Sequence, residues 1–227
     1  MKLARSDDSI LRPLERAATD WIIRHYPKWV TPDFLTYTSL LTGPLMLLFY
    51  YLSQKNVALI WAASFFLIIN WIADSTDGGL ARFRNKLRPN YGHYVDHAFD
   101  MLVTMCIGLG LGFSPVLRMK TGLAMVFLFF LWSLHSSISS SVTKMFQLAY
   151  FKIGPTELRL MILIGQTFWL FYPNLITAKF NFVEAATRWF IGLAVAVLVF
   201  EAAKTIIKLR KKDEASLKNV KYKTRIY

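Results

Sequence analysis

Four aspartates, Asp74, Asp77, Asp96 and Asp100, fall in one short stretch with long apolar runs on both sides. Asp74 and Asp77 are three apart, and Asp96 and Asp100 are four apart, so on helices each pair shares one face. Carboxylates gathered in this way repel one another. They stay ionised only with positive charge between them; otherwise some must be protonated. Hard oxygen ligands suit Mg²⁺ or Mn²⁺. A zinc site is disfavoured, because no cysteine is near and the histidines are scattered. Carboxylates with magnesium point to a phosphate or diphosphate substrate, whose charge the metal also neutralises. Between the acids lie Gly78, Gly79, Ala81 and Gly92, small residues that let a bulky ligand or a second backbone approach. Arg82 suits a phosphate clamp. A purely structural reading makes the aspartates helix caps or partners of Arg82, Arg84, Lys86 and Arg88. That reading leaves two pairs at helical spacing beside small residues unexplained. Taken singly, Arg84, Lys86 and Arg88 read as topology and lipid contacts.

The elements that must position these acids are membrane spans. The chain of 227 residues is 55% hydrophobic, and its apolar residues fall in charge-free runs at 34–54, 57–73, 101–117, 121–143, 160–178 and 189–200. The last run is extended by 206–209, and Pro173 is placed to end the fifth helix early. A span needs roughly 20 residues, so the second and third runs reach that length by taking part of the aspartate motif into the membrane. The expected fold is an all-α membrane protein with six transmembrane helices, preceded by an N-terminal amphipathic interfacial helix. It forms one domain: 1–33 a juxtamembrane amphipathic segment, 34–209 a six-helix core, 210–227 a basic cytosolic tail. In the first segment Ile10, Leu11, Leu14, Ala17, Ala18, Trp21 and Ile22 recur at helical spacing among Arg12, Glu15, Arg16 and Asp20. The alternative there is a soluble helix packed on a neighbour. The first thirty residues are too charged for a cleavable signal peptide. The polar tail reads as a helical extension or a disordered segment.

Charge sets the orientation. The net charge is +13, and the cations sit in the link around 82–88 and in the tail. The positive-inside rule places both in the cytosol. Six spans put both termini and that link on one side, so topology and charge agree; the opposite link at 53–56 has only Lys55. The basic link reverses the chain. Asp74 lies eight residues before Arg82, roughly 12 Å along a helix, and Asp100 lies eight after Gly92. Both pairs should meet at one level, just inside the cytosolic surface. The basic balance suits anionic headgroups of the bilayer. With so many spanning runs it argues against nucleic acid as a partner.

The string from Asp74 to Asp100 resembles the signature of the CDP-alcohol phosphotransferases. Asp74, Asp77, Gly78, Ala81, Arg82, Gly92, Asp96 and Asp100 fill every signature position. The spacer between Arg82 and Gly92 is one residue longer than usual, in the expected loop. "TPDFLTYTSLLTG" looks like the first helix of that family, with Asp33 where Asn is common, and makes Thr36 a nucleotide-site candidate. The resemblance implies transfer of a substituted phosphate group from a CDP-alcohol to an acceptor alcohol, with release of CMP. It implies that Asp74, Asp77, Asp96 and Asp100 hold metal, two Mg²⁺ or Mn²⁺ ions, and that Asp100 is also the general base. Gly78, Ala81, Arg82 and Gly92 would line the CDP site, and a homodimer is implied.

Two donor classes compete. Asp96-His97 followed by Asp100, and "GPTE" at 154–157, look like features of the enzymes that join CDP-choline or CDP-ethanolamine to diacylglycerol. They make His97 and Glu157 headgroup candidates. Arg159 and Lys152 could instead hold an acceptor phosphate, which favours CDP-diacylglycerol with a polar alcohol such as glycerol phosphate, serine or inositol phosphate. Gly108, Gly110 and Gly112 read as packing positions, since no strand precedes them. The rival enzyme class is a membrane prenyltransferase, which resembles longer chains with two distant aspartate motifs. The non-enzyme rival is an Asp-lined ion channel or transporter, which has no need of Gly78, Ala81 and Arg82 at these spacings.

Overall fold

Inside a bilayer the backbone must satisfy its own polar groups, so charge-free runs become helices. The computed structural model describes residues 4–6, 9–143, 145–147, 154–172 and 181–224. In chain order the elements are β1 Ala4–Ser6, α1 Arg12–His25, α2 Pro32–Leu52, α3 Leu59–Phe83, α4 Pro89–Phe113, α5 Met119–Thr143, β2 Met145–Gln147, α6 Pro155–Phe171 and α7 Phe182–Thr224. The two three-residue strands pair in parallel, a small departure from the all-helical expectation. Helices α2 to α5 and α7 are long and apolar enough to cross a membrane. The fifth expected span is α6, whose 17 residues extend about 26 Å. Its expected continuation at 173–178 lies outside the described residues.

Local chemistry sets the boundaries. Proline stands in the first turn of α1, α2, α4 and α6, where its missing N–H costs nothing. The Thr31 hydroxyl caps α2 by accepting from Phe34 N at 3.1 Å. Helix α3 does not stop at Ala73. It runs through the first aspartate pair to Phe83, and Asn85 then turns the chain with φ 54°, a conformation asparagine tolerates. Helix α4 starts at Pro89, before the second pair. Phe171 ends α6 two residues before Pro173, as the restriction on pre-proline residues requires. The tail is a helical extension: α7 continues unbroken for 43 residues, about 65 Å. Residues 225–227 lie outside the described part.

Helix α2 packs against α3 and α4; α5 joins through α4 and α7, α6 through α3 and α7, and α1 lies on α3. Met46, Tyr50, Ile60, Leu67, Ile107 and Leu111 lie in the main core. Polar groups in that core bond across helices. Tyr50 donates to Gln166 Oε1 at 2.7 Å, Gln166 donates to Ser64 Oγ at 2.5 Å, and Asn70 donates to Ser39 Oγ at 2.9 Å. Such bonds fix helix register in lipid, where water offers no alternative. Gly108 meets Gly122 and Val126 of α5, and a Cβ on Gly110 would stand 2.6 Å from the Tyr50 ring. These glycines are packing positions. Helix α1 buries Thr19 and Ile23 and leaves Leu14 and Trp21 exposed.

Candidate active site

The continuous helices α3 and α4 carry all four aspartates on helical turns. They share one electrostatic environment: Asp77 feels Asp96 and Asp74, and Asp100 feels Asp74, Asp96 and Asp77. Asp77 is buried and the other three are half-buried. Asp77 Oδ2 accepts from the Thr36 hydroxyl at 2.7 Å, and its Oδ1 accepts from Gly78 N at 2.5 Å. Thr36 therefore reaches the cluster, but through Asp77. Asp74 Oδ2 accepts from Arg159 Nη2 at 2.8 Å, which brings α6 to the same place.

The small residues divide by surroundings. A Cβ on Gly92 would meet nothing within 4 Å, and one on Gly78 would meet only the Arg82 guanidinium, at 3.8 Å. Gly79, one position on, faces Ile23 of α1, which a Cβ would overlap. Gly78 and Gly92 leave room beside the acids, whereas Gly79 seats α1. Ala81 is half-buried, and Arg82 is exposed with its guanidinium folded back beside Gly78. His97 is half-buried and in ring contact with His93 at 4.3 Å.

Glu157 has a role that the sequence did not indicate. Its Oε2 accepts from Gly154 N at 2.9 Å, closing a capping box on α6, and its Oε1 accepts from Leu11 N at 2.8 Å. Both oxygens are thus engaged by backbone. Lys152 lies outside the described residues. The basic link also builds structure. Arg84 donates to the carbonyls of Pro27 at 2.8 Å, Lys28 at 3.2 Å, Tyr26 at 3.3 Å and also Val30, clamping the connection from α1 to α2. Arg88 pairs with Asp33 and lies 4.4 Å over the Tyr91 ring.

The family model for CDP-alcohol phosphatidyltransferases matches residues 29–200, which contain the whole aspartate motif. The chain belongs to this family. It is a multi-pass membrane transferase of substituted phosphate groups, acting on CDP-alcohol and lipid substrates, in a family that generally uses divalent metal ions. The prenyltransferase and ion-pathway readings give way. Helix α1 lies before the matched stretch and is attached to the CDP-alcohol phosphatidyltransferase core by side-chain hydrogen bonds. Glu15 makes that attachment: its Oε1 accepts from Ser75 Oγ at 3.0 Å and from Thr156 Oγ1 at 2.7 Å, joining α1, α3 and α6 beside Asp74. No sequence signal marked Glu15, because an acid on the polar face of an amphipathic helix reads as solvated.

The donor chemistry of the cluster fits the hard divalent ions that the family uses. In the side-chain positions observed, no three His, Cys, Asp or Glu residues among the described residues are drawn into a metal-binding group. Asp74 is turned to Arg159 and Asp77 to Thr36. A bound metal would therefore have to draw these side chains in.

Proposed function

We propose that this enzyme moves the substituted phosphate of a CDP-alcohol onto an acceptor alcohol at the Asp74–Asp77 and Asp96–Asp100 pairs. The observation that carries the reading is the meeting of those pairs on α3 and α4, beside the open positions at Gly78 and Gly92. Asp100 is the general base: an alcohol is a poor nucleophile until a positioned group takes its proton. The acceptor oxygen forms a bond to the phosphorus carrying the donor alcohol, the pyrophosphate P–O bond breaks, CMP leaves, and the proton passes to the Asp100 carboxylate. Asp74, Asp77, Asp96 and Asp100 would hold Mg²⁺ or Mn²⁺, two ions, which when bound stabilise charge on the phosphoryl oxygens and the leaving group. Gly78, Ala81, Arg82 and Gly92 form the CDP side of the site, and Thr36 supports it through Asp77.

The preferred pair is CDP-choline or CDP-ethanolamine with diacylglycerol, with His97 nearest the headgroup. A specific observation favours the second pair, CDP-diacylglycerol with a polar alcohol: Arg159 reaches the cluster, where it could meet an acceptor phosphate. The protein is read as one domain with its six-helix core at 34–209. Both termini and the site face the cytosol, and the working unit is a homodimer. The experiment is lipid mass spectrometry with CMP quantification, using purified protein, Mg²⁺ and paired donors and acceptors. Product with choline or ethanolamine donors supports the first pair. Product only with CDP-diacylglycerol and a polar alcohol moves the assignment to the second, and no CMP from any pair would sink the reading.

A further inference from the structure

The aspartate cluster already has a cation. Arg159 enters from the start of α6, and its pair with Asp74 is largely sheltered, the side chains being 14% and 26% exposed. Asp100 and Glu15 also lie in the field of that guanidinium. The N-terminal turn of α6 is fixed by contacts independent of the aspartates. Thr156 donates to Glu15 at 2.7 Å, Trp71 Nε1 donates to Thr156 Oγ1 at 3.3 Å, and Glu157 accepts from Leu11 N at 2.8 Å. Helices α1 and α3 therefore deliver Arg159 to Asp74. The carboxylate oxygen that takes a guanidinium hydrogen bond has its lone pair directed at that donor, and a second cation arriving there is repelled by the first.

We propose that Arg159 is a resident counter-cation of the aspartate cluster, whose pairing with Asp74 competes with divalent-metal binding. The inference rests on the reading of Asp74 as a metal ligand. Without metal, Arg159 offsets part of the repulsion among the four acids. With metal, that offset is redundant and the pair with Asp74 yields. Glu15, bonded to the same α6 turn, gives the guanidinium an acidic neighbour that is not one of the four.

The test measures Mn²⁺ binding to the full-length protein in detergent by electron paramagnetic resonance, without nucleotide, and the melting temperature with and without Mn²⁺. Arg159→Gln should bind Mn²⁺ more tightly, on the order of tenfold, the size of one charge-assisted hydrogen bond. It should melt lower than wild type without metal and gain more on Mn²⁺ addition. Arg159→Lys keeps the charge but loses the planar fork, and should fall between the two. This variant carries the measurement if the glutamine variant does not fold. Loss of packing alone would lower both melting temperatures equally and leave Mn²⁺ affinity unmoved. Unchanged or weaker Mn²⁺ binding by the variants, with wild type binding normally, overturns the counter-cation role alone. No Mn²⁺ binding by wild type overturns both that role and the metal-site reading.

Discussion

Two acids, each paired with an arginine, lie near opposite ends of the helical core, one buried and one half-buried, and they are handled differently. Near the starts of α5 and α7, Glu184 is 5% exposed and accepts from Arg118 N at 2.9 Å, Thr121 Oγ1 at 2.6 Å and Arg188 Nη2 at 2.7 Å. Asn181 adds a cap at Glu184 N, at 3.1 Å. One carboxylate there meets three donors and one full countercharge. At the other end four carboxylates share a field in which Arg159 pairs with Asp74. The residue types are alike, but the crowding of negative charge is not. A satisfied acid is a strut that holds helices in register. Carboxylates that crowd one field repel one another unless positive charge or a ligand offsets them, and such crowding is the mark of a site.

The largest test of that contrast removes the proposed base. Asp100→Asn keeps the shape of the side chain but cannot take the acceptor proton. CMP release should fall about 10²–10⁴-fold, the usual worth of a positioned base, while the melting temperature holds or rises as one repelling charge goes. Near-normal turnover would remove Asp100 from the role. The opposite result is expected at the strut. Glu184→Ala leaves the Thr121 hydroxyl and the Arg118 N–H without their acceptor and removes the countercharge of the half-exposed Arg188, whose Nε keeps Thr121 Oγ1 at 3.2 Å. The cost is on the order of 1–3 kcal/mol of stability, read as a lower melting temperature in detergent. Turnover per folded molecule should not change, and a selective loss of turnover would break the contrast between strut and site.

That contrast was only half legible in the sequence. The aspartates could be placed on helical faces because spacing carries the information and proline and basic residues mark the reversal. The end at Glu184 gave no signal, since its donors come from Arg118 and Thr121, far away in sequence, and only packing brings them together. The same limit hid Glu15, whose partners Ser75 and Thr156 belong to two other helices. Glu157 stands out in the sequence only as part of "GPTE"; that the segment forms a capping box with a tertiary contact to Leu11 is visible in the structure alone. The clamp by Arg84 on four carbonyls was equally hidden, because backbone acceptors have no sequence signature. The count of spans was readable only coarsely: charge-free runs locate helices, but α6 falls near the limit where length alone decides.

A smaller effect sharpens the site end. Thr36→Val removes the hydroxyl that bonds Asp77 at 2.7 Å and is nearly the same size. On the proposal that Asp77 holds metal, Thr36 orients a ligand, and such groups are typically worth about 10–100-fold in affinity. The lower figure is expected here, since Gly78 N still holds Asp77. The measurement is the Mn²⁺ dissociation constant of the full-length protein. An unchanged value would mean that Asp77 is placed by Gly78 N alone.

The smallest effects come from two adjacent glycines, and they separate room for a ligand from room for a helix. At Gly79 a new methyl overlaps Ile23 Cδ1, the far end of a flexible side chain. Gly79→Ala should therefore be tolerated at about 1 kcal/mol, since the overlap is relieved by turning Ile23 while alanine favours the helix. The seat of α1 should loosen, seen as faster hydrogen exchange over α1. At Gly78 a methyl stands 3.8 Å from the Arg82 guanidinium, an ordinary contact, so Gly78→Ala should fold at least as stably as wild type. Its penalty, if the open space beside Asp77 is where the nucleotide lies, is a several-fold rise in KM for the CDP-alcohol with hydrogen exchange in α1 unchanged. The two methyls differ by one residue and should move different observables. If both raise KM and leave α1 unaffected, Gly79 belongs to the ligand space as well and the seat of α1 depends on other contacts, with Glu15 the first to examine.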